Sequence, residues 1–390
     1  MKYNFDEIIE RRKTDSTKWD NVVNLFGSED VLPMWVADMD FRIPEPVIEA
    51  VVKRARHPVY GYTLTGGALK SVIDRLHRLY GWKVEPEWII ITPGVVPAVN
   101  AAVRAFSGEG GSVIIQSPAY PPFWTSATNN KCVAVANPLV QRGDKYEVDF
   151  EDLEAKFASS GAKSMILCNP HNPVGRVFRE DELVRMGEIA RRHGAVMISD
   201  EIHCELVLKG YKHIPFATLS PEFQSNSVTC FAASKTFNIA GMHCSVAIIA
   251  DDGLRARFNE ARGGIMGSPD FLAVYAMAAA FDHGDEWLEQ ALDYIQSNVD
   301  YAREYFAKRI PRIKPVRPEG TYLLWLDCRG LGMDPKALRK FFNEEAKVGL
   351  NDGVTFGPGG EGFQRMNLAC PRSHLEEGLR RIEKAVNALG

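Results

Sequence analysis

Six short runs rich in valine and isoleucine recur through the middle of the chain. They are EWIIIT (87–92), GSVIIQS (111–117), SMILCN (164–169), AVMISD (195–200), SVTCFAA (227–233) and SVAIIA (245–250), each bounded by Gly, Pro, Asn, Asp or Ser. An unbroken apolar run of this length suits a strand covered on both faces, which is the condition of a parallel sheet. Helical patterns fill the gaps. In DELVRMGEIARRHG, Leu183, Met186 and Ile189 fall at helical spacing, basic residues crowd the last turn and Gly194 supplies a stop. DFEDLEAKFA opens on Asp149, a residue suited to cap a helix. Strand–helix alternation over about 200 residues predicts an α/β fold with a mostly parallel, doubly wound sheet.

The two ends read differently. Residues 286–310 carry a long amphipathic helix pattern, IPRIKPVRPEG then breaks the periodicity, TYLLWLDC (321–328) reads as a strand and HLEEGLRRIEKAVNAL as a last helix. A chain of 390 residues exceeds what one small core organises. The predicted division is a large domain over 45–285 and a smaller α+β domain built from 1–44 and 286–390.

Composition narrows the function classes. Apolar residues make up 45% and charged residues 25%, as in ordinary globular proteins. A net charge of −4 argues against a nucleic-acid or anionic-membrane partner. The seven cysteines include no CxxC pair and sit mostly in apolar stretches, so they read as small hydrophobes in a reducing compartment, with no disulfide framework and no metal site. The first residues, MKYNFDEIIERRKTD, have no apolar leader segment, and no run approaches 18 apolar residues. A cytoplasmic location is the expectation.

In open α/β sheets ligands bind beyond the carboxyl ends of the strands. After EWIIIT come Pro93, Gly94, Val95, Val96 and Pro97, a glycine turn at a helix start whose free N–H groups suit an anion. After GSVIIQS the loop presents Tyr120, after SMILC it presents Asn172, after AVMIS come Asp200 and His203, and after SVTCFAA come Ser234 and Lys235. Singly, each has an ordinary explanation: a turn, loop packing, a helix cap, a surface charge. Their succession at strand ends predicts that they converge. Lys235 stands out, because the apolar SVTCFAA and FNIAG enclose it.

The segments PMWVADMDF (33–41), YGYT (60–63), TPGVVPA (92–98), SPAYPPF (117–123), NPHNPVG (169–175), SDEIHCEL (199–206), SKTFNIAG (234–241) and FGPGGEGFQRMNLACPR (356–372) resemble those of pyridoxal-phosphate enzymes of the aspartate-aminotransferase fold. More narrowly they are similar to the cystathionine β-lyase, or C–S lyase, branch, and the resemblance spans essentially the whole chain. It implies pyridoxal 5′-phosphate as cofactor. Lys235 is then its covalent anchor and the general base, and Asp200 the partner of the pyridine nitrogen. Tyr120 stacks on the ring, Asn172 donates to the ring oxygen, and His203 lies near that oxygen. Gly94, Val95, Val96 and Ser234 hold the phosphate, aided by Tyr60 from a partner subunit, which implies a homodimer with shared sites. Arg365 clamps the substrate carboxylate, and Trp35 and Ala37 line the mouth. Two positions depart from the wider pattern: Ala232 stands where serine is usual and His243 where arginine is usual. The implied reaction is β-elimination on L-cysteine S-conjugates such as cystathionine. Transamination uses the same residues and stays open, as does a regulatory binding role on the same fold. GPGGEG (357–362) reads as a mobile loop.

Overall fold

The structure, a computed structural model, describes residues 2–390. Seven strands form one sheet: β1 (Ile89–Thr92), β2 (Ser112–Ser117), β3 (Val133–Pro138), β4 (Ser164–Cys168), β5 (Val196–Asp200), β6 (Ser227–Phe231) and β7 (Ser245–Ile248). Their order is β1-β7-β6-β5-β4-β2-β3. The pairs β2–β3, β2–β4, β4–β5 and β5–β6 are parallel, while β7 runs antiparallel to both β1 and β6. All six expected strands are present, and the sheet is mostly parallel as the apolar runs predict. β3 has no counterpart among the apolar runs. That strand lies at the sheet edge, Val133 is exposed and the strand ends in Pro138, so it lacks the continuous apolar run of a covered strand.

Alternation along the strands serves two layers. Ile166 and Cys168 of β4 pack on one face with Ile115, Ile198 and Val228, over the helix Val95–Phe106. Met165 and Leu167 point the other way, toward Leu153 and Phe157 of the helix Phe150–Ser160 and Leu183, Met186 and Ile189 of the helix Glu180–Arg192. A period of two on the strands thus meets a period of 3.6 on the helices. Full burial of each such side chain is worth about 1.5–3 kcal/mol. The helix ends follow local chemistry. The Asp149 side chain accepts from the Asp152 N–H at 2.9 Å, a cap worth about 1 kcal/mol. Glu182 accepts from the Arg179 N–H at 2.9 Å, and Gly194 takes φ +64° just past the end of Glu180–Arg192. All seven cysteines are free and buried.

The chain ends build a second, antiparallel sheet from β8 (Lys314–Pro315), β9 (Leu323–Asp327), β10 (Asn351–Asp352) and β11 (Phe363–Asn367), in the order β8-β9-β11-β10. The helices Asp285–Arg309 and Arg372–Asn387 pack on it through Ile295, Val299, Leu375 and Ile382. Near the N-terminus Leu32–Pro33 pairs in parallel with Val348–Gly349, which carries the following residues, Trp35 to Met39, toward the large sheet. One apolar cluster contains Leu324 and Leu375 together with Phe231 and Val246 of the large sheet.

The glycine-rich stretch 357–362, read from the sequence as a mobile loop, is a packed turn. A Cβ on Gly360 would meet the Gly353 carbonyl at 1.9 Å, and one on Gly357 would meet the Trp124 ring at 2.8 Å. The glycines permit close approach, which composition alone does not distinguish from freedom. Among the described residues no helix is long and apolar enough to cross a membrane.

Candidate active site

The carboxyl ends of β1, β2, β4, β5 and β6 open on a single cavity of about 600 Å³. Register sets part of this convergence, since Cys168, Asp200 and Cys230 lie side by side at the ends of three adjacent parallel strands. Trp35, Ala37, Gly94, Val95, Val96, Tyr120, Asn172, Asp200, His203, Ser234, Lys235 and Arg365 all line the cavity. Tyr60 does not. It is exposed, its hydroxyl donates to the Ala55 carbonyl and its ring lies 5.1 Å from that of Phe271. The volume falls in the range of about 300–1,000 Å³ typical of small-molecule sites.

One end of the cavity begins at Gly94, whose φ of +130° is open to glycine and costly for other residues. It caps the helix Val95–Phe106 with no side-chain cap, so the first-turn N–H groups of Val95 and Val96 have no carbonyl within the helix. Pro97 has no N–H to satisfy. This end suits an anion. Ser234 and the exposed His243 line the same cavity, while Ala232 is buried in the core.

Asp200 stands at the far side, 4% exposed, with Oδ1 accepting from the Ile202 N–H at 3.0 Å. Burial pushes its pKa up to about 7, the Ile202 hydrogen bond opposing and Glu201 adding to the rise. Such a carboxylate lacks a cation at full contact. A protonated ring nitrogen would supply one.

Lys235 is half-buried, and its Nζ donates to the Ala37 carbonyl at 2.7 Å. Burial, then the positive charge of Arg365, lower its pKa to about 8, with Asp38 and Asp200 opposing. An amine so placed is nucleophilic near neutral pH. His203 is buried and its Nδ1 has no partner among the described residues. Burial and the charges of Lys235 and Arg365 hold its pKa down at about 3, so it is neutral. Tyr120 stands edge-on to Phe123 at 5.6 Å, which fixes its ring plane.

Arg365, on β11, donates to Asn172 Oδ1 at 2.9 Å, to the Trp35 carbonyl at 3.0 Å and to Asn351 Oδ1 at 2.5 Å. Its guanidinium also lies over the Phe356 ring at 5.0 Å. Its Nε is buried without a partner among the described residues. A planar fork with one donor unmet matches a carboxylate. Asn172 uses only its oxygen here, and its amide N–H groups remain to donate elsewhere.

Sequence reasoning did not single out Asn351, Phe356, Ile202 or Cys168, which also line the cavity. Nothing marks Asn351 locally, because it belongs to the short strand β10, and Phe356 enters the sequence reading only as the first residue of the segment 356–372. Cys168 and Ile202 stand beside Asn169 and His203 in the sequence, and adjacency is the one signal that points to them. The segment Trp35–Met39 is held from several sides. Asn238 donates to the Met39 and Phe41 carbonyls at 3.0 and 2.9 Å, Asn367 donates to the Val36 and Asp38 carbonyls at 2.7 and 2.6 Å, and Trp35 Nε1 donates to the Lys18 carbonyl at 3.2 Å.

A sequence profile for aminotransferase class I and II matches residues 29–382. The chain is 44% identical to cystathionine beta-lyase PatB of Bacillus subtilis, covering 98% of this chain and all of that protein. It is 33% identical to Protein MalY of Escherichia coli, covering 99% and 100%. Among solved structures, cystalysin from Treponema denticola, which contains a pyridoxal 5′-phosphate cofactor, superposes with a TM-score of 0.97 at 37% identity over the full length of both chains. With its profile match over most of its length and its full-length relatives, the chain belongs to the aminotransferase class I and II family.

Proposed function

We propose that the protein is a pyridoxal-phosphate-dependent carbon–sulfur lyase that cleaves L-cysteine S-conjugates such as cystathionine to a thiol, pyruvate and ammonia. One observation carries the reading: a lysine amine of lowered pKa and a buried, cation-seeking carboxylate face the same cavity as a partly unsatisfied arginine. The relatives named as cystathionine β-lyases support the choice of reaction.

When bound, the cofactor supplies an aldehyde carbon and an electron-accepting ring. The chain's residues then divide the work. The Val95 and Val96 N–H groups and Ser234 hold the phosphate. Asp200 would keep the ring nitrogen protonated, Tyr120 would cover one face, and Asn172 would donate to the ring oxygen with neutral His203 nearby. Arg365 orients the substrate carboxylate, and Trp35 and Ala37 close the mouth. Lys235 would anchor the cofactor's aldehyde carbon, and its amine, free near neutral pH, would take the proton from the substrate Cα. General-base placement of this kind contributes about 10²–10⁴-fold. The Cβ–S bond breaks, the thiolate leaves with the electron pair, and water converts the remaining three-carbon amine to pyruvate and ammonia.

The test supplies cystathionine with and without a 2-oxo acid. A lyase releases pyruvate and thiol without the oxo acid, whereas release only in its presence makes the enzyme an aminotransferase. Lys235→Ala should reduce turnover by more than 10²-fold, and full pyruvate release by that variant would exclude the assigned base.

The exposure of Tyr60, Tyr62 and Leu64 supports a homodimer in which a second copy covers this stretch and Tyr60 reaches the partner's phosphate end. Sedimentation as a monomer at micromolar concentration would rule it out. The division into 45–285 and 1–44 with 286–390 is proposed as two bodies that close on substrate. Unchanged small-angle scattering on adding a carboxylate inhibitor would count against that. A cytoplasmic location fits an enzyme with seven free thiols, and recovery of the native protein with these thiols oxidised would contradict it.

A further inference from the structure

The Ala37 carbonyl receives two donors. Lys235 Nζ lies 2.7 Å from it, and the Tyr322 hydroxyl donates to the same oxygen at 3.0 Å. Tyr322 is fully buried, and its ring stands edge-on to that of His203 at 6.2 Å. We propose that Tyr322 is a positioning residue for Lys235, its hydroxyl sharing the Ala37 carbonyl and so setting how firmly that oxygen holds the lysine amine.

A second, independent feature is the backbone that delivers Tyr322. Thr321, a β-branched residue, adopts φ +67°. Such a residue in the left-handed region is a genuine outlier, and the strain persists only where the surroundings over-determine it. They do so here. The Thr321 N–H donates to the Leu206 carbonyl at 2.6 Å, its Oγ1 accepts from the Leu323 N–H at 3.1 Å, and a Cβ on Gly320 would meet the same Leu206 carbonyl at 3.0 Å. The corner turns Tyr322 inward immediately before β9 begins. The oxygen it meets is itself fixed, because Asn238 and Asn367 clamp the carbonyls on either side of Ala37.

Two donors on one carbonyl oxygen weaken each other. Removing the phenolic O–H leaves more of the oxygen's electron density for the ammonium of Lys235, which favours the charged amine. The other groups facing Lys235 stay in place: Asp38 in the clamped segment, Asp200 at the end of β5, neutral His203 after it, and Arg365 on β11, with Tyr120 beside Arg365. Tyr322→Phe should therefore raise the pH at which Lys235 becomes a free amine by about 0.5 unit, slowing its reaction roughly threefold on the acid side. The inference rests on the reading of Lys235 as the reactive amine.

The experiment uses the full-length chain freed of cofactor. Lys235 is reductively methylated with formaldehyde and cyanoborohydride from pH 6 to 9, and its rate is read by peptide mass spectrometry against exposed Lys131 in the same sample. An alkaline displacement of the Lys235 midpoint in Tyr322→Phe, with Lys131 unchanged, is the expected result. A superimposable or lowered midpoint overturns the proposal, even if the variant melts earlier, because a purely structural tyrosine would alter the melt and not the titration. Wild-type chain treated with pyridoxal 5′-phosphate and borohydride reports separately on the functional reading. If Lys235 stays unlabelled there, the anchor assignment fails while the comparison of midpoints still stands.

Discussion

Asp200→Asn, made in the cofactor-free chain, isolates the electrostatic design of the cavity. Burial raises the Asp200 pKa from its ordinary value of 3.8 to about 7. In the unfolded chain the group ionises near the ordinary value, so folding a charged Asp200 costs free energy that a protonated one does not. Well below pH 3.8 the group is neutral in both states and contributes nothing. As pH rises through the interval from the unfolded to the folded pKa, stability is lost, and above about pH 7 the loss is complete. About three units at 1.36 kcal/mol each set the loss near 4 kcal/mol. Asparagine is neutral throughout and its oxygen retains the Ile202 N–H, so it escapes the cost. At roughly 2.1 cal/mol/K per residue, 390 residues give an unfolding entropy near 0.8 kcal/mol/K. The variant should then melt about 3–5 °C above wild type at pH 8, and within about 1 °C of it at pH 4. Scanning calorimetry on cofactor-free protein across this range measures the gap. A gap of equal size at both pH values would refute the argument, because it would show that the carboxylate's charge is not what the fold resists. In the loaded enzyme the same substitution should act in the opposite sense and depress turnover, since the ring nitrogen loses its counter-charge.

Two further outcomes follow from the buried arginines. Arg365→Lys keeps the charge but loses the fork and the contacts to Asn172 and Asn351. It should lower kcat/KM about 10–100-fold, at about 1.5–3 kcal/mol for a charge-assisted hydrogen bond, in steady-state assays with an amino-acid substrate, and an unchanged value would remove Arg365 from carboxylate recognition. Arg75→Ala strands Glu205, which is buried and pairs with Arg75. The cost should be about 3–5 kcal/mol in denaturant unfolding, and Glu205→Gln in the same chain should recover part of it. No recovery would mean that packing against Phe237 and Phe281, and not charge, explains the loss.

Much of the site is legible in the chain because the parallel strands obey a simple rule. An apolar run such as SMILC or AVMIS must be covered on both faces, so its polar neighbours collect at its ends, ligands bind at the carboxyl ends, and Asn172, Asp200 and Lys235 are found there by reading the last residue of each run and the few that follow it. Local chemistry also announces the Asp149 cap and the Gly94 turn. The edge strand Val133–Pro138 escapes this reading because half of it faces solvent, and the reversed direction of Ser245–Ile248 escapes it because an apolar run carries no sign of polarity.

What the chain determines by itself is which residues end each covered strand, since burial sorts apolar from polar side chains one strand at a time. What only the tertiary structure decides is which distant segments close the space above those ends. Ala37 accepts from Lys235 across 198 positions of sequence and from Tyr322 across 285, while Arg365 reaches Trp35 across 330. Contacts of that span depend on how two sheets pack and on a strained corner at Thr321. A carbonyl oxygen, moreover, is the same at every residue, so nothing in the side-chain code marks Ala37 as the one that holds the amine.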